Sequence, residues 1–130
     1  METRTKNKTV LLVDDDHEDQ EIFEDVVNQI DRSVNCVFVD TAEDALEKLS
    51  TADLKPDYIF LDLNLPFMTG FDCLYIIKKN DRLQDIPVII YSTSTRESDK
   101  QKAKELGASN YLSKASTFSE IKSMLANVIN

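Results

Sequence analysis

Five short apolar runs punctuate the chain: Val10 to Val13, Val34 to Val39, Tyr58 to Leu61, Val88 to Tyr91 and Asn110 to Leu112. Most are continuous rather than alternating, and rich in Val, Ile and aromatic residues. A strand covered on one face alternates apolar with polar, whereas continuous runs suit strands buried on both faces, as parallel sheets require. Between the runs, apolar residues recur at helical intervals. Ile22, Phe23, Val26, Val27 and Ile30 form one stripe. Ala42, Ala45, Leu46 and Leu49 form a second, with Asp40 read as the helix cap beside Thr41, and Glu43 and Asp44 placed for a capping box. Phe71, Leu74 and Ile77 mark a third, and Phe118, Ile121, Met124, Leu125 and Val128 the last. The stretch from Glu97 to Leu106 is the weakest, its apolar face reduced to Ala103 and Leu106, with Gly107 placed for a left-handed C-terminal cap.

Strand and helix thus alternate five times. Short connections and right-handed crossovers then predict a doubly wound open α/β sheet with helices on both faces and the second strand at an edge. The 130 residues fit one domain, with residues 1–8 expected as a flexible tail, residues 9–130 as the domain and no output domain after it. Apolar residues make up 42% of the chain, enough for a packed core. No apolar run approaches the ~20 residues of a membrane span, and the polar start lacks an apolar signal segment, so a cytoplasmic protein is expected. Cys36 and Cys73 form no Cys-x-x-Cys pair and read as small buried hydrophobes. The net charge is −9, from 24 acidic against 15 basic residues, which argues against a nucleic-acid partner. An acidic protein can still handle phosphate when a divalent cation stands between the like charges.

In an open parallel sheet, ligands bind beyond the carboxyl ends of the strands. The first run leads into Asp14, Asp15 and Asp16, the third into Asp62 and Asn64, the fourth into Ser92 and Thr93, and the fifth into Lys114. Carboxylates, hydroxyls and one lysine therefore collect on one edge. Such a set repels itself unless a hard metal ion offsets it, and oxygen-only ligands point to Mg²⁺ or another hard divalent ion rather than zinc. A carboxylate beside such an ion, with a hydroxyl and a lysine in reach, has the parts for phosphoryl transfer. Asp16 extends the acidic run and reads as a solvated or helix-capping acid. His17, the sole histidine, reads as a solvated residue of the first loop.

Four segments in order carry a family resemblance: Val13-Asp14-Asp15, Leu61-Asp62-Leu-Asn64-Leu-Pro66-Phe-Met-Thr-Gly70, Pro87-Val-Ile-Ile-Tyr-Ser92 and Gly107-Ala-Ser-Asn-Tyr111-Leu-Ser-Lys114. The chain resembles the receiver domains of two-component response regulators along nearly its whole length, most of all stand-alone, chemotaxis-type receivers. The resemblance implies a flavodoxin-like fold of five parallel strands in the order 2-1-3-4-5 with five helices. It makes Asp62 the phosphoacceptor, with Mg²⁺ held by Asp14, Asp15, a side-chain oxygen of Asp62 and the backbone carbonyl of Asn64. Ser92 matches the hydroxyl that follows phosphoryl arrival and Lys114 the lysine that pairs with the phosphoryl group. Tyr111 matches the aromatic that turns inward, and Asn64 and Ser94 the positions that tune hydrolysis. The implied partners are a sensor histidine kinase or histidine phosphotransfer protein and a downstream protein target, with a homodimer through the fourth-helix to fifth-helix face allowed.

The family usually has a cis-proline after the lysine, where this chain has Ala115; a cis bond there costs about 2.5–4 kcal/mol, so the loop is strained or trans. Thr93 stands where the family usually has something small, and would narrow the phosphoryl pocket. Two other functions compete with this reading. A haloacid-dehalogenase-type phosphatase needs a second acid two residues after its nucleophile, and Asn64 cannot serve. A degenerate receiver, acting as a phosphorylation-independent scaffold, is disfavoured by the intact acids, Ser92 and Lys114. Only two glycines, Gly70 and Gly107, are present, which excludes a glycine-rich nucleotide loop.

Overall fold

Successive residues of a strand point to opposite faces, so a run that is apolar throughout feeds two cores at once. The computed structural model, which describes residues 8–51, 53–114 and 117–129, bears this out. Its elements follow in the order β1 (Thr9–Val13), α1 (His17–Ile30), β2 (Asn35–Val39), α2 (Ala42–Leu49), β3 (Tyr58–Leu61), α3 (Gly70–Lys79), β4 (Val88–Ser92), α4 (Glu97–Glu105), β5 (Asn110–Ser113) and α5 (Phe118–Ile129). The five strands form one parallel sheet in the order β2-β1-β3-β4-β5, with β2 at an edge as expected. Leu11, Val13, Ile59, Leu61, Val88 and Ile90 face one side, where Ala45 and Leu49 of α2, Leu74 and Ile77 of α3 and Ala103 of α4 cover them. Val10, Leu12, Phe60, Ile89 and Tyr91 face the other, against Phe23, Val26 and Val27 of α1 and Ile121, Leu125 and Ile129 of α5. Among the described residues, no helix is long and apolar enough to cross a membrane.

The helix ends refine the sequence reading. Asp16 caps α1, its carboxylate accepting from the Glu18 and Asp19 amides. His17 is the first residue of that helix rather than part of the loop, and its ring pairs with Asp40 at 3.1 Å. Thr41, not Asp40, caps α2; its hydroxyl accepts from the Asp44 amide, which leaves Asp40 free to bind His17 and Gln20. The weak signal over α4 has a structural cause, because Ala103 is its one buried residue and Arg96 gives it no side-chain cap. Ile22 and Phe118 lie outside the cores although they sit in the apolar stripes, and Ile129 anchors the end of α5. Cys36 is only half-buried, while Cys73 is buried; burial pushes the two thiols up to about 11 and about 12. Residues 1–7 of the expected tail, and Ala115 with its bond to Lys114, lie outside the described residues.

Both glycines hold positions closed to other residues. Gly107 has φ 105° and terminates α4 as expected. Gly70 starts α3 so close to the end of β3 that a Cβ would sit 2.1 Å from the Asp62 carbonyl oxygen and 2.8 Å from the Leu63 Cα. This close approach ties α3 to the loop that carries Asp62, with the Gly70 amide donating to the Leu63 carbonyl at 3.0 Å. Gly70→Ala is expected to lower the unfolding free energy by about 2 kcal/mol or more, read from the urea midpoint. An unchanged midpoint would contradict the tight seating of α3.

Candidate functional site

Parallel pairing brings the carboxyl ends of β1 and β3 side by side, with Val13 in register with Leu61. The next residue of each strand is an aspartate, so Asp14 and Asp62 become neighbours. Their backbones are pinned by the sheet: the Asp14 amide donates to the Val39 carbonyl and the Asp62 amide to the Val13 carbonyl, each at 3.0 Å. Both side chains are buried, Asp14 fully and Asp62 at 6% exposure, while Asp15 is exposed.

One carboxylate oxygen from each of Asp14, Asp15 and Asp62 lies within 4.8 Å of the other two. At an effective dielectric of about 20, unit charges at that spacing repel by roughly 3.5 kcal/mol per pair. Lys114 supplies the only compensation visible among the described residues. Its ammonium lies 2.6 Å from Asp14 Oδ2, 2.9 Å from Asp19 Oδ2 and 3.1 Å from Asp62 Oδ2. The Tyr91 ring, 5.4 Å away, lies beneath the same ammonium. Burial works against the charged lysine, but the Asp14 and Asp19 carboxylates against it and the charge of Asp62 outweigh it and hold its pKa above the ordinary value. Asp14 shows the opposite balance. Burial pushes its carboxyl up to about 6, although the Lys114 contact and the Asp16 amide pull it down. Asp14 Oδ2 meets Lys114 off the hydrogen-bond direction and is left with a charge partner but no hydrogen bond. A buried oxygen in that condition, grouped with two other carboxylates and no nitrogen or sulfur donor, fits a hard divalent cation.

The neighbouring loops close the site. Asp62 Oδ1 accepts from the Asn64 amide at 3.2 Å, and the Asn64 side chain is exposed. Ser92 is fully buried at the end of β4, and its carbonyl accepts from the Lys114 amide at 2.8 Å. Its hydroxyl accepts from the Ser94 amide at 3.2 Å. The Ser94 carbonyl in turn accepts from the half-buried Tyr111 hydroxyl at 2.8 Å, so Ser92, Ser94 and Tyr111 form one chain of contacts from β4 to β5. The Ser94 hydroxyl itself is committed to α4, donating to Asp99 at 2.6 Å. Thr93 is exposed.

Three features escaped the sequence reading. Asp19 is an acid in the first turn of α1 that no motif singles out, and the fold brings it to Lys114 just past the end of β5. Gln20 donates to the Asp14 carbonyl at 2.7 Å and to Asp40 at 3.0 Å, which locks the acidic loop to the end of β2. Phe67 adopts φ 68°, with the Met68 amide donating to the Pro66 carbonyl at 2.8 Å, a strained tight turn after Asp62 that no residue type announced.

This arrangement has known counterparts. Residues 10–126 match the response regulator receiver domain family. The chain belongs to that family. As a receiver it is a module of two-component signalling, and receivers as a family are not enzymes in the ordinary sense; they interact with histidine kinases or phosphotransfer proteins. The chain is 32% identical to the transcriptional regulatory protein PrrA of Mycobacterium leprae over 124 residues, covering 93% of this chain and 49% of PrrA. The receiver therefore spans about half the length of that regulator. Among solved structures it is similar to the phosphorylated cyanobacterial phytochrome response regulator RcpA, with TM-score 0.86, 27% identity and coverage of 95% of this chain and 91% of RcpA. It is also similar to the Mn²⁺-bound form of the response regulator Rcp1, which is known from Synechocystis sp., with TM-score 0.81, 30% identity and coverage of 93% and 91%. The fold and strand order agree with these receivers, and the acidic cluster fits divalent-metal binding.

The Asp14 shift gives the site a pH signature. Its folded pKa of about 6 exceeds the ordinary 3.8, so its contribution to the stability of the metal-free protein is full below the ordinary value and lost as pH rises through 6. Metal binding requires the ionised form and runs the other way. Affinity for Mn²⁺ or Mg²⁺, measured by titration calorimetry, is expected to be about tenfold weaker near pH 5 than near pH 7.5. An affinity that is flat over this range would contradict the role of Asp14.

Proposed function

We propose that this receiver takes a phosphoryl group onto Asp62 from the phosphohistidine of a sensor histidine kinase or histidine phosphotransfer protein, in a Mg²⁺-dependent reaction in the cytoplasm. The observation that carries this reading is the Asp62 carboxylate itself. It is buried, fixed by the Asn64 amide on one oxygen and by Lys114 on the other, and sits beside two further carboxylates.

A carboxylate oxygen of Asp62 attacks phosphorus, the P–N bond of the donor breaks, and the departing imidazole keeps the electron pair and takes up a proton. An acyl phosphate results. Mg²⁺ held by Asp14, Asp15, an oxygen of Asp62 and the Asn64 backbone carbonyl would neutralise charge on the phosphoryl oxygens. Lys114 pairs with one phosphoryl oxygen and the Ser92 hydroxyl donates to another. Movement of Ser92 toward the phosphoryl group would be felt at Ser94 and so at Tyr111, since these residues are already linked. That link supports Tyr111 as the switch residue. Asn64 and Ser94 are the proposed tuning positions for hydrolysis, in which water cleaves the acyl phosphate and releases inorganic phosphate. The receiver thus assists its own phosphorylation and dephosphorylation. The readout is a changed preference for protein partners on the α4 and α5 side, a second copy of the chain among them.

The test is intact mass after incubation with acetyl phosphate, with and without Mg²⁺. A gain of one phosphoryl group is expected in the wild type with Mg²⁺, and is expected to vanish in Asp62→Asn or on removal of the ion. Labelling that persists unchanged in Asp62→Asn would refute the assignment. A protein that binds no Mg²⁺ and gains no mass would favour the phosphorylation-independent scaffold.

A further inference from the structure

An ammonium group carries three protons and no acceptor, so a buried lysine needs anionic or polar partners on several sides. Lys114, whose side chain is 7% exposed, has three carboxylates around it: Asp14, Asp19 and Asp62. These three are not equivalent. Asp14 and Asp62 belong to the group whose oxygens converge within 4.8 Å as a cation site, together with Asp15. Asp19 does not. It stands on the first turn of α1, 95 positions from Lys114 in sequence, with its amide held by the Asp16 cap at 3.2 Å.

The two shared partners are lost to Lys114 once the site is loaded. A carboxylate coordinated to a divalent ion is a weaker acceptor, and Asp62 loses its charge on becoming an acyl phosphate. The lysine stem is long and flexible, and would be free to swing away from a depleted set of partners. Asp19 lies outside the cation cluster and is not the phosphoacceptor, so neither event takes it from Lys114.

We propose that Asp19 is a positioning residue for the phosphoryl-transfer reaction, the permanent counter-ion that keeps the Lys114 ammonium aimed at the phosphoryl oxygens when Asp14 and Asp62 are engaged. This inference rests on the assignment of Asp62 as phosphoacceptor. The bond to Asp19 holds the ammonium in place while it pairs with a phosphoryl oxygen. The Tyr91 ring supports the same ammonium from below. Asp19 also has a cost, because its charge repels an anionic donor. Its two effects therefore fall on different kinetic quantities: the maximal rate through Lys114, and the apparent donor affinity through charge.

The test is the rate of phosphorylation against acetyl phosphate concentration at saturating Mg²⁺, for wild type, Asp19→Asn and Asp19→Glu. In Asp19→Asn the maximal rate is expected to fall about tenfold or more, the loss seen when a positioned group is left to wander. The half-saturating donor concentration is expected to stay the same or drop, Mg²⁺ affinity to stay within about twofold, and Asp19→Glu to recover part of the rate. A wild-type maximal rate in Asp19→Asn would overturn the proposal, as would a parallel loss of Mg²⁺ affinity and rate that Asp19→Glu does not relieve. A wild type that takes no phosphoryl group refutes the underlying assignment instead. A second measurement needs no variant: a crystal structure of the wild type with Mg²⁺ and beryllofluoride, a phosphoryl mimic. The Lys114 to Asp19 ion pair is expected to persist there while the lysine leaves Asp14, and a lysine that has left Asp19 would contradict the proposal.

Discussion

Everything at the carboxyl edge of the sheet depends on one electrostatic constraint. Three carboxylates meet a single ammonium, a fourth, Asp15, converges with two of them, and the side chains of Asp14, Asp62 and Lys114 are buried. A fold that only needed stability would not collect them, since desolvated like charges oppose folding. The raised pKa of Asp14 and the hydrogen-bond-deficient oxygen on the same side chain are the local marks of that opposition. Added positive charge relieves that opposition, and the oxygen-only cluster fits a divalent cation.

The rest of the architecture positions these charges. The register of β1 with β3 makes neighbours of Asp14 and Asp62, which lie 48 positions apart in sequence. The β4 to β5 pairing continues through the Lys114 amide to the Ser92 carbonyl, which sets the lysine and the hydroxyl on adjacent strands. Gly70 lets α3 approach the Asp62 carbonyl closely. Gln20 and His17 fasten the acidic loop to Asp40 at the end of β2. The site is thus held by strand ends and helix starts.

Much of this was legible in the sequence, for physical reasons. A strand buried on both faces must be apolar throughout, so the five runs located the sheet, and the residue following each run located the edge. Asp14, Asp15, Asp62, Ser92 and Lys114 were readable for that reason. What escaped depends on contacts between distant segments or on one-residue choices. Asp19 resembles any acid that complements a helix N-terminus, and its partner lies at the other end of the chain. Asp40 and Thr41 are both good caps, and the competition was decided by His17 and Gln20, which claim the carboxylate. Phe118 fits the apolar stripe of α5 but falls at the exposed start of the helix, while Ile129 closes the core one turn beyond Leu125. The positive φ of Phe67 is a cost imposed by the turn, and phenylalanine gives no hint of it.

The central claim is that this electrostatic arrangement exists to let one carboxylate, Asp62, become an acyl phosphate. Sodium borohydride reduces an aspartyl acyl phosphate to homoserine and so marks the residue that carried it. The most direct measurement is peptide mapping of the wild-type protein after phosphorylation in Mg²⁺ and borohydride reduction. The account predicts homoserine at position 62 and at no other aspartate. Homoserine at Asp14, Asp15 or Asp19, or a protein that gains phosphoryl mass yet yields no homoserine, would contradict it.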